Sequence, residues 1–77
     1  MNDETPQDII NGIIELTGIT EDELFSPDTT IEPDETYPDD MRHIFVQQQE
    51  GTATLIVRIE VAEEVLRQRE ERKKGKP

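Results

Sequence analysis

The apolar positions of this chain change period twice, from helical to alternating and back to helical. Ile9, Ile10, Ile13, Ile14 and Leu16 recur at helical spacing, which predicts an amphipathic helix over residues 5–18. Thr5 suits the N-cap, Pro6 the first helical position, and Asp8 stands three residues after the cap. Gly18 after Thr17 is a natural stop. Gly12 weakens the middle by about 1 kcal/mol relative to Ala. Thr20-Glu21-Asp22-Glu23 is a second capping signature, followed by Leu24 and Phe25. Ser26-Pro27 ends that helix after about one turn.

Residues 26–40 (SPDTTIEPDETYPDD) hold three prolines and six acids, a loop composition with Ile31 and Tyr37 as its anchors to a core. A loop of this length in a small domain tends to be functional or mobile. Residues 42–49 carry Ile44, Phe45 and Val46 and read as a strand. Glu50-Gly51 reads as a turn. Over residues 52–60, Ala53, Leu55, Val57 and Ile59 alternate with Thr52, Thr54, Ile56, Arg58 and Glu60, which predicts a second strand and an antiparallel hairpin. Residues 61–74 return to helical spacing, with Val61, Ala62, Val65 and Leu66 as the stripe. Beyond Leu66 the helix is all polar, so its last turns are expected to project into solvent or fray. Residues 73–77 read as a flexible basic tail.

A rival pattern exists. Leu55, Ile59, Ala62 and Leu66 would also form the seam of one long helix over 54–74. The β-branched cluster Thr54, Ile56, Val57, Ile59 and Val61 favours the strand. The fold class expected is therefore a small single α+β domain: N-terminal helix, short helix, long acidic loop, hairpin, C-terminal amphipathic helix. A lone hairpin is marginal in water, and its open edges invite a second copy, which would complete a four-stranded sheet.

Charge sharpens the picture. Thirteen carboxylates and no Lys or Arg precede Arg42; eight basic residues and six Glu make up the charged remainder. The first 41 residues thus carry −13 and the rest +2, within a net charge of −11. Such a field attracts basic partners and repels nucleic acid and anionic lipid. Acidity with few lysines also suits a high-salt cell, but that adaptation would spread over the whole surface. With no Cys in the chain, disulfides are excluded and a reducing compartment fits. The acidic N-terminus lacks the apolar run of a secretory signal. No apolar stretch approaches the ~20 residues of a membrane span. A soluble cytoplasmic protein is expected.

Candidate chemistry is sparse. Ser26 and His43 are the sole Ser and His, and nothing in their spacing brings them together as nucleophile and base. His43 reads as a half-exposed strand residue pairing with a nearby acid. Asp34, Glu35, Asp39 and Asp40 could collect Ca²⁺ weakly, but the calcium-loop pattern is absent. The four glycines are isolated, so no phosphate cradle exists. The basic run Arg67, Arg69, Arg72, Lys73, Lys74 and Lys76 suits a helix C-terminus.

Residues 10–31 (INGIIELTGITEDELFSPDTTI), about a quarter of the chain, resemble the first helix and following loop of acyl carrier proteins. That resemblance implies an Asp-Ser-Leu at the start of the next helix, its Ser carrying a phosphopantetheine arm. The corresponding Pro33-Asp34-Glu35-Thr36-Tyr37 contains no Ser, and the β-rich 42–60 departs from an all-helical carrier. A carrier role would fall to Ser26, and the family is not adopted.

The expected function is that of a small acidic, non-catalytic protein-binding or regulatory protein without cofactor or metal. Its specific form is a nucleic-acid mimic that inhibits a basic DNA- or RNA-binding partner, similar by analogy to small phage-encoded inhibitors. The contact residues expected are Glu21, Asp22, Glu23, Asp28, Glu32, Asp34, Glu35, Asp39 and Asp40, with Phe25 and Tyr37 as apolar anchors. The alternative is a structural or assembly module that dimerises or docks through its hairpin or C-terminal helix. Exposure of Ile44, Val46 and Ile56 on a sheet face would favour it.

Overall fold

The computed structural model describes residues 4–74. Its elements are α1 (Pro6–Thr17), α2 (Glu21–Leu24), β1 (Thr30–Pro33), β2 (Met41–Gln48), β3 (Gly51–Arg58) and α3 (Ile59–Lys74). The strands form one antiparallel sheet in the order β1-β2-β3. The α+β class and the hairpin stand. The sheet gains a third strand from the segment expected to be loop, so one edge of the hairpin is covered within the chain.

Both short-range helix starts are set by capping boxes. Thr5 Oγ1 accepts from Asp8 N at 3.2 Å while Thr5 N donates to Asp8 Oδ2 at 3.2 Å. Thr20 and Glu23 repeat the arrangement at 3.2 and 3.1 Å. Each box satisfies backbone donors that the first turn leaves over. Gly18 ends α1 at φ 80°, its N–H donating to Ile14 O at 3.0 Å. That left-handed conformation is free of strain for Gly and costly for a side chain.

β1 escaped the sequence reading because it is short and contains Pro33. Its register removes the objection. Asp34 N donates to Met41 O at 3.2 Å, and Pro33 is the next position, opposite Arg42. Antiparallel pairs alternate between bonded and non-bonded, so Pro33 falls where no ladder donor is required. Ile31 pairs with Ile44, and Ile44 with Leu55, giving an apolar row across all three strands.

That row lies on the face covered by helices. Ile44, Val46 and Val57 are buried there with Ile10 of α1, Ile19, Leu24, Phe25, and Val61, Ala62 and Val65 of α3. Ile31, Ala53 and Leu55 pack against them from half-buried positions. Fully burying a Val, Leu or Ile side chain contributes about 1.5–3 kcal/mol, so these residues dominate stability. A side-chain bond from Gln68 to Gln7 ties α3 to α1.

Several expectations are corrected. Leu16 is 88% exposed and outside the stripe, because its side chain falls on the solvent flank of α1. Leu66 is 44% exposed. Tyr37 is 60% exposed and anchors nothing in the core, whereas Ile31 does. Ile59 begins α3 instead of ending the strand. The single long helix over 54–74 is excluded, since residues up to Arg58 pair with β2. The end of α3 is held down: Arg69 donates to Thr29 O at 2.9 Å, and Arg72 donates to Asp22 at 2.7 Å and lies 5.4 Å from the Phe25 ring centroid. Lys73 and Lys74 are helical, not tail; residues 75–77 lie outside the described residues.

Replacing Ile44 by Ala is expected to cost about 2–5 kcal/mol through lost burial and an unfilled cavity. Leu16→Gln should stay within about 0.5 kcal/mol. Urea unfolding of the two variants checks both; equal midpoints would refute the assigned core.

Candidate functional site

The acids expected to face a partner divide into two groups once the chain is folded. The first group is occupied internally. Glu21 and Asp22 stand in the first turn of α2 and approach Arg72 at 3.9 and 2.7 Å. Glu23 closes the α2 capping box and accepts from Gln48 Nε2 at 3.2 Å. The Thr20 N–H first, and Gln48 next, hold its carboxyl below the ordinary value. Phe25, expected as an anchor, is buried beneath Arg72.

Asp34 also belongs to this group. Its Oδ2 accepts from Thr36 N and Tyr37 N, each at 2.9 Å. His43 Nε2 donates to its Oδ1 at 2.5 Å. The expected pairing of His43 with a nearby acid is thus present, and Asp34 is that acid. The His43 bond first, then the Tyr37 N–H, holds the Asp34 carboxyl below its usual value. Asp34 therefore organises the β1–β2 connection. Arg42 completes it by donating to Pro38 O at 2.5 Å and Met41 O at 2.9 Å.

The second group is Asp28, Glu32, Glu35, Asp39 and Asp40. All five are exposed, and none has a cation within 4.0 Å among the described residues. Glu32 lies on β1; Asp28 precedes it, and Glu35, Asp39 and Asp40 follow it. Glu32 is on the edge strand β1 and Asp39 and Glu35 lie in the β1–β2 connection, whereas Asp40 adjoins the β3 side, its C=O accepting from Ile59 N at 2.8 Å. Tyr37 is exposed within the same connection. The opposite edge, β3, carries no charge between Gly51 and Val57.

Of the residues expected on an exposed sheet face, Ile44 and Val46 are buried beneath the helices, while Ile56 lies on the face turned away from them. Strand alternation places Glu32, Met41, His43, Phe45, Thr54, Ile56 and Arg58 on it. Ile56 is 60% exposed, while Met41, His43 and Phe45 are half-buried. The His43 and Phe45 ring centroids are 6.2 Å apart. The signal was available in the alternation itself: both strands carry apolar residues at outward as well as inward positions.

A cleft of about 410 Å³ separates α2 from the end of α3. Asp22, Ser26, Arg69 and Arg72 line it, and His43 does not. Ser26 and His43 are not brought together. Ser26 Oγ instead accepts from Asp28 N at 3.1 Å. Among the described residues, no group of three or more His, Asp or Glu is placed to hold a metal ion. No described helix is long and apolar enough to cross a membrane. No protein-family model, curated protein or solved structure matches the chain.

The acid limb of stability follows from these contacts. Arg67 first, then Gln68, lowers the Glu64 carboxyl from 4.5 to about 2. A carboxylate whose folded value is depressed stabilises the fold above its unfolded value and loses that effect as pH falls through the folded one. Glu64 should therefore make the urea midpoint decline between pH 4.5 and about 2, and Asp34 should add to the decline as pH falls below its ordinary value of 3.8. Glu64→Gln and Asp34→Asn should each flatten that decline while lowering the neutral-pH midpoint. An unaltered acid limb in both variants would count against the two contacts. Both sites meet solvent, so salt should shrink the effect.

Proposed function

We propose that this is a non-catalytic protein-binding protein whose acidic β1 edge docks on a basic surface of its partner. The observation carrying this reading is the second group of acids. Asp28, Glu32, Glu35, Asp39 and Asp40 are exposed, with no cation within 4.0 Å among the described residues. Carboxylates left in that state repel one another and find compensation in an external cation. The chemistry that fits is a run of Lys or Arg, as on a protein that binds nucleic acid, and the edge then competes for the phosphate-binding groove. Tyr37 supplies a rigid aromatic contact with a polar tip, a residue type enriched at interface centres. The Asp34–His43 pair and its backbone bonds hold the connection in one shape, which lowers the ordering cost of binding.

Charges on an interface rim act mainly through association rate and salt dependence. Capture from source-cell lysate at low salt, with stepwise salt elution, tests the proposal. The native chain should retain a basic protein that moderate salt releases. A variant with Asp28, Glu35, Asp39 and Asp40 changed to Asn or Gln should bind that protein at least about tenfold more weakly, with a shallower salt dependence. Equal affinity and equal salt dependence for the two chains would end this reading.

A second reading, an assembly module that docks through its hairpin, draws support from Ile56, 60% exposed on the uncovered sheet face. Ile44 and Val46 lend it nothing, since both are fully buried.

A further inference from the structure

We propose that two copies of the chain pair through the open edge of β3, antiparallel about a two-fold axis at Thr54, to form one six-stranded sheet. The proposal rests on the hairpin-docking reading and gives it a partner, a second copy. It is independent of what binds the acidic edge.

The two edges of the sheet differ in kind. β1 is four residues long, carries Glu32 and contains Pro33, three devices that discourage pairing with another strand. β3 is eight residues long, lacks Pro, and keeps an unbroken register with β2 from Gly51 to Arg58. It has no bulge to twist its outer side away. Its outward backbone groups can be assigned. Ile59 N donates to Asp40 O at 2.8 Å, so the bonded positions toward β2 are the odd ones: 57, 55 and 53. The N–H and C=O groups of Thr52, Thr54, Ile56 and Arg58 therefore point away from the sheet. Thr52, Thr54, Ile56 and Arg58 are all exposed.

Two such edges pair only where an outward position meets an outward position. A register shifted by one residue would set outward groups against inward ones. With Thr54 on the axis, Thr54 meets its own copy and Ile56 meets Thr52 of the second chain. Arg58 then meets Glu50 of the second chain, at both ends of the pairing. Glu50 and Arg58 are the sole charged residues between positions 50 and 58, and they stand equally far from Thr54. The edge is thus self-complementary in charge as well as in hydrogen bonds. On the inner side, half-buried Leu55 faces Ala53 of the copy, which extends the apolar row beyond the single chain.

The net charge of −11 on each chain opposes association in general. The strand that carries Glu32, β1, is the edge far from the pairing. Five strand spacings of ~4.8 Å separate the two outer β1 strands by about 24 Å, several screening lengths at physiological salt, where the Debye length is about 8 Å. Pairing consumes the one unprotected edge of each chain, so the assembly closes at two. The product presents two acidic edges at opposite ends, a bivalent ligand for basic partners.

Sedimentation equilibrium or light scattering on the full chain, without any partner, tests the proposal at about 0.15 M salt, where long-range repulsion is screened. The native chain should approach twice its 8.9 kDa mass as concentration rises. Thr54→Pro removes an outward N–H that β2 does not use, and circular dichroism should show the fold kept while the mass falls to one chain. Glu50→Arg and Arg58→Glu should each weaken pairing by about tenfold through like charges set opposite. The two combined should restore it. A native mass of one chain at every concentration, a dimer indifferent to Thr54→Pro, or a double variant without recovery would each overturn the pairing. None of these results bears on the acidic edge, which the capture experiment reads separately.

Discussion

The row Ile31–Ile44–Leu55 is the constraint on which the remaining structure depends. Ile44 pairs with an apolar residue on each side and is itself fully buried. A one-residue slip in either pairing would turn a whole strand inside out, since side chains alternate between faces. The row therefore fixes which residues of β1 meet the helices and which meet solvent. It pulls Ile31 into the core and so converts a proline-rich segment into a strand.

The chain separates its carboxylates by use. Acids close to a helix start or a turn are spent on local order: Asp8 and Glu23 in capping boxes, Asp34 in the β1–β2 connection. Glu21 and Asp22 meet the far end of α3 through Arg72. This contact joins segments fifty residues apart and places the basic last turn of α3 over the acidic first turn of α2. Exposed ion pairs of this kind contribute little singly. Here they act together with the Arg72–Phe25 contact and the Arg69–Thr29 bond. The effect is to neutralise the acids at positions 21 and 22, while Asp28, Glu32, Glu35, Asp39 and Asp40 have no cation within 4.0 Å among the described residues.

Much of this was legible in the sequence, and the exceptions have physical causes. Both capping boxes and the Gly18 stop depend on contacts a few residues apart, and they appear as expected. β2, β3 and α3 follow from a change of period, with boundaries displaced by one or two residues. β1 was missed because a four-residue strand has one inward apolar position, Ile31, and its proline is tolerated only through a register set by β2. The occupied acids were indistinguishable from the free ones for a similar reason. Asp34 and Asp39 lie in the same acidic stretch; only the fold brings His43 to one of them. Phe25, expected beside Tyr37 as a partner anchor, is instead buried, because it packs beneath Arg72 from the other end of the chain.

The asymmetry of the sheet carries the functional argument one step further. A strand edge is a row of unmet hydrogen-bonding groups, and small proteins must either protect it or use it. This chain protects β1 with Pro33 and Glu32 and surrounds it with carboxylates. It leaves β3 long, regular and nearly uncharged. Had acidity served solubility alone, the exposed β3 edge would be the place where a charge was most useful, and none stands between Gly51 and Val57. The distribution makes sense if the two edges serve different contacts: an electrostatic one at β1, sensitive to salt, and a backbone one at β3, dependent on register. The first chooses partners by charge, and the second sets how many acidic edges a partner meets at once.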